Sequence, residues 1–164
     1  MKDTAEKAIG ELLKDKNLNL TMGDSNVFDY GRIAFGIPAL DTLTGGGIPK
    51  KRMTLIYGPT NVGKSYLSSQ IVAQVQKQGG RAAWIDTELS WDSDWMNKCG
   101  IDASKVVVGQ PSSGEQAMDS IKALATSGEF DVIVLDSIAG LVPTQNMDED
   151  FSFSPMAWQA RFVN

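Results

Sequence analysis

The chain contains no histidine and a single cysteine among its 164 residues. Without imidazole, general-base work falls to carboxylates. Cys99 alone cannot close an internal disulfide, which suits a reducing cytoplasm. No apolar run approaches the ~20 residues that a membrane span requires. Met1 to Lys7 lacks the apolar stretch of a signal peptide. Positive charge is outnumbered as well: 15 Lys and Arg face 20 Asp and Glu, a net charge of −5. That balance argues against a protein gripping nucleic acid over its whole surface, and leaves room for DNA held by a local loop. Internal repeats and low-complexity segments are absent. The length suits one domain with a real hydrophobic core, and 42% hydrophobic with 21% charged residues is ordinary globular composition.

Against that background one stretch stands out. Gly58-Pro59-Thr60-Asn61-Val62-Gly63-Lys64-Ser65 has the spacing G-x-x-x-x-G-K-[ST], the pattern of a loop that cradles nucleotide phosphates. Gly58 and Gly63 permit backbone angles that turn successive N–H groups toward an anion. Lys64 brings a positive charge to the β- and γ-phosphates, and the Ser65 hydroxyl is placed to ligate Mg²⁺. The helix that follows, from Tyr66, points its positive dipole end at the same phosphates. The four fixed positions coincide by accident in roughly one chain in two hundred of this size. Met53 to Tyr57 reads as a buried strand just before the loop, so strand, loop and helix follow in the confirming order. Gly58 to Tyr66 are therefore the nucleotide-binding candidates.

Three zones follow one another. Residues 1–22 read as a peripheral arm, with Ala8, Ile9, Leu12 and Leu13 at helical spacing and a polar turn through Lys16 to Asn19. Residues 23–50 are turn-rich, and the expected boundary between arm and core falls at 33/34. Residues 51–164 alternate strand and helix. Strands are predicted at 81–86, 105–108 and 132–135, the last as a run buried on both faces. Helices are predicted at 66–76, at 92–99, and from a capping box at Ser113 and Gln116 to a stop at Gly128. This alternation predicts an α/β core with a mostly parallel sheet flanked by helices on both sides. Ligands in such sheets sit beyond the carboxyl ends of the strands, where Gly58, Asp86 to Glu88, and Asp136-Ser137 all fall.

Asp136 closes a hydrophobic strand, where a carboxylate holds Mg²⁺ through water or simply caps a strand-to-loop junction. Ser137 hydrogen-bonds a metal water or caps a turn. Glu88 is the leading candidate to polarise an attacking water, with Asp86 the competitor or else a structural residue.

Residues 45–64, Gln110 to Ala117, Ala123 to Gly128 and Asp131 to Ala139 occur in an order that resembles the RecA/RadA recombinase superfamily, and bacterial or phage RecA in particular. The similarity covers about residues 34–164. It implies a RecA-like P-loop NTPase core, ATP as the nucleotide, Mg²⁺ as its partner ion, and Glu88 with Lys64 as the catalytic residues. It also implies a base pocket in which Asp92 accepts from the adenine amino group and Trp95 stacks on the ring, in place of the usual tyrosine. The lesser alternative makes Trp95 a core anchor on a short helix. After Pro143 the family carries a loop that touches single-stranded DNA. By position Met156 wedges against bases and Arg161 contacts phosphate, while Phe151 and Phe153 either stack on bases or pack on a neighbouring subunit. The acidic run Asp148-Glu149-Asp150 would repel phosphate and should point away from DNA or move on binding.

The resemblance further implies a cytoplasmic, DNA-dependent ATPase of recombination and repair. It would self-associate into a filament on single-stranded DNA, without a membrane, its amino-terminal arm docking on the adjacent subunit. The alternative is a RecA-like mediator module without strand exchange; a ring-forming motor is a third and weaker reading. The family leads one to expect further strands, a second DNA loop and a γ-phosphate sensor after Asn164, so the sequence is expected to be a fragment, or a split protein completed by a second chain. Deleting residues 1–22 is expected to abolish assembly, seen by electron microscopy, while sparing nucleotide binding. Intact filaments from the shortened chain would refute the docking role.

Overall fold

The computed structural model describes residues 2–25 and 29–141. It divides into two compact units, Met1–Gly31 and Arg32–Asn164. In the first, helix α1 (Lys2–Lys14) carries the predicted apolar stripe, and Ile9 and Leu12 on it are exposed. None of the described helices is long and apolar enough to cross a membrane.

The second unit opens with strand β1 (Arg32–Ile33), helix α2 (Pro38–Leu43) and strand β2 (Ile48–Pro49). The turn-rich reading of this region missed α2. It is only six residues long, with Pro38 fixing its first turn and Asp41 accepting from the Phe35 and Gly36 N–H groups. It missed the β1–β2 ladder too, an antiparallel pair of two residues a side, too short to show a periodicity.

The body of the fold follows the predicted alternation: α3 (Lys64–Lys77), β3 (Ala82–Asp86), α4 (Ser93–Lys98), β4 (Val106–Gly109), α5 (Gly114–Ser127) and β5 (Val132–Asp136). The three strands form a parallel sheet in the order β4-β3-β5. In β3 every residue is buried, and successive side chains alternate between two faces. Ala82 and Trp84 pack with Val72 and Ala73 of α3 and with Met96 and Ile101. On the other face Ile85 packs with Ala117 of α5 and with Leu141. The helices therefore cover both faces, as the alternation requires. A third cluster joins the second flank of α3, through Ile71 and Val75, to Ile33 and Phe35.

Three local expectations are corrected. Met53 to Tyr57 is not a strand: it lies outside every ladder, with Met53 95%, Leu55 59% and Tyr57 85% exposed. Composition marks it as strand-like, but a strand needs a hydrogen-bonding neighbour, and none pairs with it among the described residues. β5 is half-buried along its length instead of buried on both faces, since only β3 pairs with it among the described residues. The capping box is shifted by one residue. Ser113 Oγ accepts from the Gln116 N–H (3.2 Å), but the Gln116 side chain accepts from the N–H of Ser112 (2.7 Å).

Trp84 is the largest fully buried side chain and meets Trp91 edge-on, with ring centroids 5.7 Å apart and planes at 64°. Trp84→Ala should cost about 3–5 kcal/mol of unfolding free energy, read by urea denaturation. A loss below about 1 kcal/mol would contradict this account of the core.

Candidate functional site

β3 and β5 are paired residue for residue, Ala82 opposite Val132 and Asp86 opposite Asp136. Both carboxylates thus leave the sheet at the same level. The chain then turns into two loops, and the side chains that follow are joined across the gap. The Thr87 N–H donates to the Asp136 carbonyl (2.9 Å). The Ser137 N–H donates to Thr87 Oγ1 (2.9 Å), and that hydroxyl donates to the Ser137 carbonyl (2.6 Å). Ser137 Oγ donates in turn to Glu88 Oε1 (2.5 Å). The Asp136–Ser137 peptide is cis.

Asp86 is the structural member of the acidic cluster. Its side chain is fully buried, and it accepts from Gln110 Nε2 (2.9 Å), the Trp91 N–H (2.9 Å), the Glu88 N–H (3.2 Å) and Ser90 Oγ (3.4 Å). Burial pushes its pKa up, but the Gln110 amide and the backbone N–H groups of Trp91, Ser90 and Glu88 together hold it below the ordinary aspartate value. It is thereby occupied as an acceptor and organises the loop from 87 to 91. That loop includes Leu89 in the left-handed region at φ 54° and exposes Glu88. Asp136 is displaced the other way. Burial raises its pKa and the neighbouring charges of Glu88 and Asp86 raise it further, against a Ser65 hydrogen bond and the charge of Lys64. Lys64, Ser65, Asp86 and Glu88 are therefore all within interaction range of the Asp136 carboxylate.

The phosphate loop itself holds Asn61 at φ 61° and Gly63 at φ 91° before α3 begins at Lys64. Left-handed backbone at these points turns N–H groups inward, and Gly63 adopts it without a Cβ penalty. Lys64 Nζ donates to the Pro59 carbonyl (2.8 Å), arching over the loop. Gly58, Pro59, Thr60, Val62, Ser65 and Tyr66 are exposed, so the loop's surface is free to meet an anion. Among the described residues no three acidic, histidine or cysteine side chains are placed to hold a metal ion by themselves. The donor set nevertheless fits Mg²⁺, which takes one or two protein oxygens and completes its shell with phosphate and water. Ser65 faces Asp136, and the negative charges of Glu88 and Asp86 acting on Asp136 mark a place where added positive charge is favourable.

Asp92 is the N-cap of α4, its Oδ1 accepting from the N–H groups of Asp94 (2.9 Å) and Trp95 (3.0 Å). Trp95 is 54% exposed and is not a core anchor; Met96 fills that place. Met156, Arg161, Phe151 and Phe153 lie outside the described residues. Two residues with clear structural roles went unassigned in the sequence reading, Thr87 and Gln110. Both stand at the carboxyl ends of strands, the one signal that could have found them.

The description "RecA N-terminal domain" matches residues 3–164 of this chain. Protein RecA of Cytophaga hutchinsonii is 39% identical over 163 residues, covering 99% of this chain and 44% of the relative. Protein RecA of Clostridium tetani is 36% identical over 162 residues, covering 97% of this chain and 46% of the relative. The chain thus spans under half the length of these curated relatives. The crystal structure of the RadB recombinase aligns over 80% of this chain and 66% of its own, with a TM-score of 0.55 at 24% identity. That likeness establishes the fold.

Because the Asp86 pKa is depressed in the fold, its contribution to stability is fully present above the unfolded value near ~3.9 and is lost as pH falls through the lower folded value. Asp86→Asn would point an amide at donors. It should lower unfolding free energy at pH 7 by about 1–3 kcal/mol, with a smaller loss below about pH 4. Thermal melts from pH 3 to 7 read both; equal stability at pH 7 would contradict the assignment.

Proposed function

The chain belongs to the RecA N-terminal domain family, and we propose that it binds MgATP at Gly58 to Tyr66 and hydrolyses it as part of a RecA-type recombinase assembled on single-stranded DNA. The observation that carries this reading is the convergence of Lys64, Ser65, Glu88 and Asp136 at the ends of α3, β3 and β5.

Each of these residues has a task in the proposal. The loop N–H groups and Lys64 hold the β- and γ-phosphates, and Ser65 with Asp136 holds the magnesium ion. The ion supplies charge neutralisation at the phosphate oxygens. Glu88, with no imidazole anywhere in the chain, accepts hydrogen bonding from the attacking water and orients it in line with the γ-phosphorus. Asp92 keeps Oδ2 for the adenine amino group while Oδ1 caps α4, and the open face of Trp95 offers the ring a stacking surface.

Single-stranded DNA is proposed to meet residues 146–161, with Phe151, Phe153 and Met156 against bases and Arg161 on phosphate. The net charge of −5 favours such a local contact over a broad one. The arm at residues 1–33 is proposed to dock on the next subunit through the exposed stripe of α1, giving a filament in the cytoplasm.

The test is MgATP binding and hydrolysis, with and without a poly(dT) oligonucleotide. Lys64→Ala should weaken MgATP binding roughly 10–100-fold. Glu88→Gln should bind within about twofold of wild type while turnover falls about 10²–10⁴-fold. Binding without any DNA response would favour a mediator module lacking strand exchange. Unchanged turnover in Glu88→Gln would remove Glu88 from the mechanism.

A further inference from the structure

We propose that Thr87 is a positioning residue, whose hydroxyl latches the loop after β3 to the loop after β5 and so carries Ser137 to the Glu88 carboxylate. The inference deepens the ATP-hydrolysis reading and rests on it for its consequence, though the latch itself can be tested without turnover.

Thr87 Oγ1 uses both of its hydrogen-bonding capacities on one residue. It accepts from the Ser137 N–H (2.9 Å) and donates to the Ser137 carbonyl (2.6 Å). With the Thr87 N–H on the Asp136 carbonyl (2.9 Å), the residue after β3 is fixed to both residues flanking the Asp136–Ser137 peptide. Ser137 then has one free group, its hydroxyl, and that group is on Glu88 Oε1 (2.5 Å). Glu88 itself is exposed, so the Ser137 hydroxyl is the described side-chain restraint that selects one carboxylate position among several open rotamers.

The other side of the latch is shaped to admit it. Residues Ile138–Gly140 form a short 3-10 helix directly after Ser137. A Cβ on Gly140 would run into the Thr87 side chain and stand 2.7 Å from the Thr87 carbonyl oxygen, closer than real Cβ atoms come. The φ of Gly140 is not in the left-handed region, so it is this close approach that calls for glycine. The Thr87 hydroxyl and a bare glycine thus meet at the Ser137 backbone, while the Ser137 hydroxyl reaches the group proposed to orient water. Apolar packing does not need either hydroxyl there. A general base must be held to within a fraction of an ångström, because a displacement of about 1 Å can cost on the order of 10²-fold in rate.

Thr87→Val keeps the branched shape and removes the hydroxyl, whereas Thr87→Ser keeps the hydroxyl and removes a methyl. The first readout is amide hydrogen exchange at Ser137, followed by NMR in the chain without nucleotide. Thr87→Val should speed it roughly tenfold while Thr87→Ser leaves it near wild type. The second is single-turnover hydrolysis of MgATP with poly(dT), alongside MgATP binding. Thr87→Val should lower the hydrolysis rate about tenfold or more with the dissociation constant within about twofold, and Thr87→Ser should restore the rate. A Ser137 amide that exchanges at the wild-type rate in Thr87→Val overturns the latch. A faster amide with an unchanged hydrolysis rate overturns the positioning role. If wild type bound no MgATP, the reading of the site as an ATPase would fail, and the exchange rates would still decide the latch.

Discussion

Hydrogen bonding of β3 to β4 on one side and to β5 on the other sets where Asp86, Glu88, Gln110 and Asp136 emerge. The pairing is parallel on both sides, so the three carboxyl ends point the same way. The register brings Asp86 level with Asp136 and Ile85 level with Gly109, one residue before Gln110. Gln110 can therefore donate to Asp86, and Thr87 can reach Ser137. A slip of one residue in either pair would invert the faces of the sheet and separate these groups. Trp84, enclosed between α3 and α4, and Ile85, facing α5, hold that register from the two sides.

Two carboxylates level with each other on paired strands are used in opposite ways as a result. Asp86 is buried and saturated with donors, so it stays ionised and acts on its own backbone. Asp136 is left among like charges, with Ser65 and Lys64 as partial compensation. Asp86 thereby shapes its loop, while positive charge placed beside Asp136 would be stabilising. Glu88 is exposed and tied through Ser137.

Much of this was legible in the chain because periodicity and punctuation are local. The α3, α5 and β3 segments follow from apolar spacing, Gly79-Gly80, Ser113 and Gly128. The resemblance to the RecA superfamily extended the reading to the base pocket and the DNA loop. What a linear reading could not supply were facts about neighbours. Met53 to Tyr57 has the composition of a strand, yet composition does not provide a ladder partner. Asp86 and Glu88 look alike two residues apart, and only burial and the donors from Gln110 and Trp91 separate their roles. Thr87 is unremarkable until Ser137, fifty residues on, is placed against it.

The loop at 58–65 and the loops after β3 and β5 are proposed to make one nucleotide site. Backbone amide NMR of the chain titrated with MgATP tests it most directly. Shifts should appear together in residues 58–66, 86–95 and 136–140, and the shallow groove lined by Gln76, Gly79, Gly100 and Lys105 should stay silent. Shifts confined to that groove, or to the phosphate loop without the β3 and β5 loops, would contradict it.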